Sequence, residues 1–182
     1  VWKYAAEGKP LLAESLGAME RASEEGALLD VGPHVPITNG LSLAVASEFG
    51  ANRVWLSPEL TLRQIESVAK DAPVELGVLL IGAQELMVTE HCMLMSQGPC
   101  DENCAVCPRR KSPHALLDRK GYEFPVVTDA MGRSHLYNAV ETDIAPAMPD
   151  LLAAGISSYM VDATLMNAEE TAHAVGRAIR AL

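Results

Sequence analysis

No apolar run in this 182-residue sequence approaches the roughly 20 residues that a membrane-spanning helix needs. The opening, Val1-Trp2-Lys3-Tyr4, lacks the basic stretch and apolar segment of a secretory signal. It also lacks an initiator Met, which points to a cut or processed piece of a longer chain. The expectation is a cytoplasmic, soluble protein with no membrane contact. Basic residues are scarce too: 14 Lys and Arg stand against 24 Asp and Glu, for a net charge of −10. That balance argues against a broad nucleic-acid surface, whose footprint is an excess of Lys and Arg, and leaves a local one open. There is no internal repeat and no low-complexity segment. The His-Glu-x-x-His of a metalloprotease helix and the Gly-x-Ser-x-Gly of a serine nucleophile elbow are both missing. Cysteine occurs at four positions only, Cys92, Cys100, Cys104 and Cys107.

What is present is apolar material, 49% of the residues, enough for one sizeable core. Residues 11–27 read as a helix, with Leu11, Leu12, Leu16 and Met19 on one face. Residues 28–32 form a short apolar run, either a buried strand or a connection. An alternating rhythm follows. Residues 34–39 are an extended run, and residues 40–49 a helix closed by Gly50. Residues 53–56 are a strand, and residues 61–70 a helix with Thr61 as N-cap. Residues 74–81 are a near-continuous apolar strand of the kind buried on both faces of a parallel sheet. The rhythm breaks over residues 85–140, where strand-like pieces at 115–119, 124–128 and 134–137 suggest a small antiparallel, cysteine-rich insertion. It resumes with a helix at 149–154, a strand at 156–161 and a terminal helix at 167–182 capped by Asn167. Alternating strands and helices imply right-handed βαβ crossovers. A closed (β/α)8 barrel takes about 250 residues. The expected fold is therefore α/β: one domain over 1–182 carrying four parallel strands, as half of a barrel or an open sheet, with the insertion inside it.

The cysteine spacing is Cys92-x7-Cys100-x3-Cys104-x2-Cys107, all within sixteen residues of a polar, Gly- and Pro-containing stretch. Four thiolates can surround one tetrahedral zinc or cap the irons of one cubane cluster. Two disulfides and four unrelated thiols are the plain alternatives, and cytosolic disulfides are rare. A single zinc usually takes two Cys-x2-Cys pairs, and only Cys104 and Cys107 form one here, which tilts the reading toward a cluster. Residues 109–133 carry six bases and three acids, a local charge of +3 against the sign of the whole chain. The bland reading is a solvated loop, the sharper one an anion or RNA contact.

The run Glu85-Leu86-Met87-Val88-Thr89-Glu90-His91-Cys92, followed by Gly98-Pro99-Cys100 and Cys104-Ala105-Val106-Cys107, resembles the signature region of the U32 peptidase family, the collagenase-like proteins. Residues 117–126 (LDRKGYEFPV), residues 133–138 (RSHLYN), Ile37-Thr38-Asn39 and residues 56–60 (LSPEL) resemble further blocks of that family. The resemblance runs from about His34 to the C-terminus. It implies a (β/α)8-type barrel of which this chain is the later half, so the missing N-terminal half would be its first partner. Members are named peptidases, with a collagenase as founder, and no settled catalytic residues accompany that activity. Other members hold a [4Fe–4S] cluster through four cysteines. Some of these hydroxylate RNA bases or quinone precursors without oxygen, with prephenate-linked chemistry as the proposed oxygen source. Carried over, Cys92, Cys100, Cys104 and Cys107 are the cluster ligands. One departure matters. Many relatives carry a cysteine just before the Arg-Ser/Thr-His block, where this chain has Met131-Gly132. If that cysteine is a ligand in relatives, Cys104 is the bystander here.

Other residues invite chemistry. The rim at the C-terminal ends of barrel strands carries active sites. There Glu59, like Glu90 near the cysteines, is a candidate acid or base, and Asn39 and Ser57 (with Thr38) are candidate substrate contacts. The plain reading of Ser57-Pro58-Glu59 is a helix start. His135 is a third catalytic candidate, and Arg133 either binds a carboxylate or phosphate or pairs with Asp129. A Cys–His dyad using His91, His114 or His135 is conceivable, but adjacent His91 and Cys92 seldom face each other. His34, His173 and the methionines near the cysteines read as packing or surface residues. Three functions stand: an iron–sulfur hydroxylase acting on RNA or a small molecule, a peptidase for collagen-like or unfolded chains, and a zinc-stapled interaction module. An open half barrel also exposes strand edges, which favours a homodimer.

Overall fold

Four side-chain caps fix where helices begin in the computed structural model, which describes residues 2–182. Ser15, Asn39, Thr61 and Asn167 each accept a hydrogen bond from a backbone N–H of the first turn. Asn39, Thr61 and Asn167 complete reciprocal capping boxes with Ser42, Gln64 and Glu170. The chain divides into two compact units. One comprises the residues through Ile81 with Asp143–Asp162 and Met166–Leu182. The other comprises 82–142 with 163–165.

The first unit is a curled parallel sheet of five strands, half of a barrel. In spatial order these are β1 (Leu11–Ala13), β2 (Leu29–Val31), β3 (Ala51–Trp55), β4 (Glu75–Gly82) and β10 (Ser158–Asp162). The two-residue strand β9 (Thr142–Asp143) also pairs with β4. Helices α1 (Trp2–Ala6), α2 (Leu16–Glu24), α3 (Gly40–Glu48), α4 (Leu62–Ala69), α5 (Met148–Ala153) and α6 (Ala168–Ala181) complete the unit. Alternate strand residues face opposite sides of a sheet. Leu29, Val31, Val54, Leu76, Val78 and Leu80 therefore share one face, buried in a single core with Met19, Leu43, Ile65, Leu151 and Ala174 of the helices. On the other face Arg53 bridges Asp30 and Glu75, its register partners on the neighbouring strands.

The structure corrects the expected elements at several places. Residues 11–27 are not one helix: Leu11–Ala13 pairs in parallel with Leu29–Val31, and Ser15 starts the helix afterwards. Five parallel strands stand where four were expected: β1 is new, and the run at 28–32, left open between strand and connection, is the strand β2. Residues 34–39 form no strand. Val35 and Ile37 are buried at alternating positions as a strand's would be. Pro36 between them has no N–H to give to a ladder. Among the described residues no helix is long and apolar enough to cross a membrane.

The second unit is an antiparallel sheet in the order β5 (Glu85–Thr89), β8 (Ser134–Tyr137), β7 (Glu123–Thr128) and β6 (His114–Leu117). Strand β5 was not expected from the sequence. Between β5 and β6 lie three 3-10 turns, Met93–Gln97, Cys104–Val106 and Pro108–Lys111, and these carry the cysteines and their neighbours.

Candidate metal centre

All four cysteines carry free thiols, and all four line one cavity of the second unit together with Leu94, Met95, Asp101, Asn103, Arg109, Arg110 and Thr128. The enclosed part takes the centre of a water-sized sphere over about 10 Å³, room for one water or one metal ion. Among the described residues, no three His, Cys, Asp or Glu side chains converge as placed on a point where a metal ion would sit. The sulfurs are nonetheless close enough to repel. The Cys104 thiol is pushed above its ordinary pKa, first by burial and then by the charges of Cys92, Cys100 and Cys107, with Arg110 opposing. Four thiols on one cavity are a donor set that fits a thiolate-bound metal.

The loop around them is framed by hydrogen bonds that need no metal. The Met93 N–H, next to Cys92, donates to the Ser134 hydroxyl at 2.9 Å, and Ser134 meets the Thr128 hydroxyl at 3.3 Å. Arg109 donates through Nη1 to the carbonyls of Leu94 and Gly98, and through Nη2 to that of Pro99 at 2.8 Å. Arg110 joins the Cys104 turn to β7: Nε donates to the Thr128 carbonyl at 2.8 Å, and Nη1 to the carbonyls of Cys104 and Ala105. A planar guanidinium suits such multiple donation better than a lysine does. The Glu102 N–H lies 3.3 Å from the Cys100 sulfur, and Glu102 holds the left-handed φ of 61°. Two of the six bases that gave the segment its local positive charge are thus committed to carbonyls inside the loop. A third, Arg133, is committed to Asp129.

His135 belongs to a different group. Neighbouring positions of a pleated strand face opposite sides, so Ser134 turns toward the cysteine loop and His135 away from it. The His135 Nδ1 sits 2.5 Å from Glu85 Oε1, and Nε2 lies 3.6 Å from Asp129 Oδ2. Asp129 is held by Arg133 and by the N–H groups of Met131 and Arg133. Burial pulls its pKa up, but Arg133 and those N–H groups overcome this and hold it at about 2. His114 is engaged at both nitrogens as well, by the Gln97 amide and the Arg109 carbonyl.

The remaining candidates are not among the residues that line the cavity. Asn39 caps α3, and its carboxamide oxygen takes the Ser42 N–H at 2.9 Å. The Ser57 hydroxyl accepts from the Glu59 N–H at 3.3 Å, the local turn expected of a helix start. Glu59 and Glu90 are exposed. Sequence reading missed the Glu14–His34 pair, which follows β1 and β2. The His34 Nδ1 and N–H each lie 3.1 Å from Glu14 Oε2, and the Glu14 carboxylate covers Gly32. It also missed Glu85 and the two loop arginines. Two adjacent arginines between a Cys-x2-Cys and a strand were the one local signal available.

A half-barrel α/β unit and an antiparallel unit that carries a four-thiol cavity define the class of protein. The sequence model of peptidase family U32 matches residues 5–182, and the chain belongs to that family. Searches of curated proteins and of solved structures each found no match.

Proposed function

We propose that Cys92, Cys100, Cys104 and Cys107 hold a metal group, a [4Fe–4S] cluster, and that the U32 chemistry it serves is oxygen-independent hydroxylation of an RNA base or a quinone precursor. The observation that carries the reading is the lining of one cavity by four unbonded thiols. A bound cluster supplies one-electron transfer, at a potential set by charge, exposure and hydrogen bonds to its sulfurs. The chain's own residues supply the rest. The Glu102 N–H donates to the Cys100 sulfur, Arg110 offsets charge at Cys104, and both loop arginines hold the turns in place. Asn39, Ser57, Glu59, Glu90, Arg133 and His135 are the candidates for substrate contact. The strand order ends at β1 and β10. In this reading those edges take the strands of the N-terminal half of the barrel, or of a second copy when the chain is alone, so light scattering should give a dimer.

Zinc is the second reading, favoured by an enclosed space that suits one ion. Peptidase action is the third, carried by the family's name. The test is metal analysis of anaerobically purified protein. The cluster reading expects a brown sample with iron and sulfide in equal amounts, about four of each as the cluster's own composition requires. A colourless sample holding one zinc would replace it with the zinc staple. Hydrolysis of gelatin that survives Cys→Ser at all four positions would remove the metal from catalysis.

A further inference from the structure

We propose that Gly132 is a positioning residue that admits Cys104 to the metal centre, because its missing side chain leaves the corner that the Cys104 sulfur occupies. The inference rests on the metal-centre reading above. Gly132 is buried, and its backbone holds the left-handed φ of 88°. A Cβ built on it would stand 2.6 Å from Cys104 Sγ and 3.6 Å from Cys104 Cβ. The first distance lies well inside van der Waals contact, so a side chain at 132 and the Cys104 sulfur compete for one space. Among the glycines of the second unit around the cysteines the crowding is particular to this pair. A Cβ on Gly98, the glycine of the cysteine loop itself, meets only Arg109 Nη2, at an ordinary 3.6 Å.

Neither backbone is free to retreat. The Cys104 carbonyl is tied to Arg110 Nη1 at 2.9 Å, and the same guanidinium is tied through Nε to the Thr128 carbonyl at 2.8 Å. On the other side Asp129 fixes the turn that contains Gly132. Its carbonyl accepts the Gly132 N–H at 3.1 Å, and its carboxylate takes the N–H groups of Met131 and Arg133. Thr128 and Asp129 are consecutive on one strand end, so both ties run to the same short piece of backbone. The softest response to a new Cβ is rotation of the Cys104 side chain. That rotation relieves the clash by moving the sulfur off the corner it now fills, and the strain of a side chain at φ 88° is a separate cost that Gly132→Asn controls for. Cys104 is then a ligand here because residue 132 has no side chain, and the two positions form one unit of specificity.

The experiment uses the whole chain with Gly132→Ala, Gly132→Asn, Cys104→Ala and the double variant Gly132→Ala/Cys104→Ala. Three readouts serve: zinc affinity by chelator competition, iron and sulfide content after anaerobic reconstitution, and mass-spectrometric mapping of cysteines protected from alkylation. Gly132→Ala should lower metal affinity by about 10- to 100-fold, the range seen when a residue that orients a ligand is changed. It should expose Cys104 to alkylation while Cys92, Cys100 and Cys107 stay protected. Gly132→Asn should match it, because Asn tolerates the left-handed backbone but still adds the Cβ. In the Cys104→Ala background the second change should cost nothing further, the signature of two coupled positions. Wild-type affinity with Cys104 still protected in Gly132→Ala would overturn the proposal. So would recovery in Gly132→Asn, which would assign the effect to backbone strain. If Gly132→Ala fails to fold, Cys104→Ala alone decides: metal held as tightly as in the wild type removes Cys104 from the ligand set. A wild-type protein that takes neither zinc nor iron, with no cysteine protected, would instead bring down the metal-centre reading itself.

Discussion

The two units of this chain are stabilised by different means. In the first, the strands pack a continuous apolar face against the helices, and residues such as Met19, Leu29, Val54, Leu80 and Met148 are fully buried. In the second, the buried apolar side chains among the described residues are Leu94, Val126 and Tyr137, joined by the hydroxyls of Thr128 and Ser134. What orders the second unit is polar: arginines on carbonyls, a hydroxyl pair and an Asp-centred turn. A unit with so little apolar burial gains most from a bound metal, since binding free energy counts toward folding. The apolar unit needs no such help. The expected consequence is two unfolding transitions, of which only the one belonging to the cysteine unit moves when the proposed metal is added or removed.

The largest single effect should come from the apolar unit. Leu80 is 0% exposed at the centre of the core. Leu80→Ala should cost about 2–5 kcal/mol, from lost transfer energy plus the cavity left behind. Urea unfolding followed by far-UV circular dichroism measures it. The metal content of the cysteine unit should not change. A loss below about 1 kcal/mol would mean that this core is loosely packed, and the contrast between the units would weaken.

The same contrast explains what the sequence could reveal. Helices that start at Asn39, Thr61 and Asn167 were legible because a cap and its partner lie three residues apart. Strand Glu75–Gly82 was legible because burial on both faces leaves a continuous apolar run. Strand β1 was misread because Leu11, Leu12 and Leu16 fit a helical face equally well, and its pairing with Leu29–Val31 is not local. Strand β5 was missed because Leu86, Met87 and Val88 are exposed and its partner, Ser134–Tyr137, lies far along the chain. Spacing alone made the cysteines a candidate centre. It could not show that Arg109 and Arg110, read as surface charge, spend their donors on carbonyls around the thiols. Nor could it show that Gly132, first noted as a departure from the family pattern, lies against the Cys104 sulfur.

An intermediate effect is expected at Ser134, whose side chain is 0% exposed. It accepts the Met93 N–H and meets the Thr128 hydroxyl, so it ties the residue after Cys92 to β8 and β7. Ser134→Ala leaves both groups without that partner and should cost about 1–3 kcal/mol in the cysteine unit. Hydrogen exchange of the Met93 amide should rise in step. Ser134→Cys, which keeps a weak acceptor, should fall between. If Ser134→Ala destabilises the half-barrel transition instead, the two units do not unfold separately.

The smallest effect is the most diagnostic of polar stabilisation. Asp129, held at about 2 by Arg133 and two backbone N–H groups, has a folded-state pKa below its ordinary value of 3.8. A depressed carboxylate adds stability that is fully present above the unfolded-state pKa and lost as pH falls through the folded one. The stability difference between wild type and Asp129→Asn should therefore stay flat from pH 7 to about pH 5. It should shrink below about pH 4 and close near pH 2, and added salt should reduce it throughout because Arg133 is partly exposed. Comparing the two proteins at each pH cancels the other carboxylates that titrate in the same window. A difference that ignores pH would mean that Asp129 acts through its hydrogen-bonded turn alone. The charge pair with Arg133 would then contribute nothing to the unit that holds the thiols.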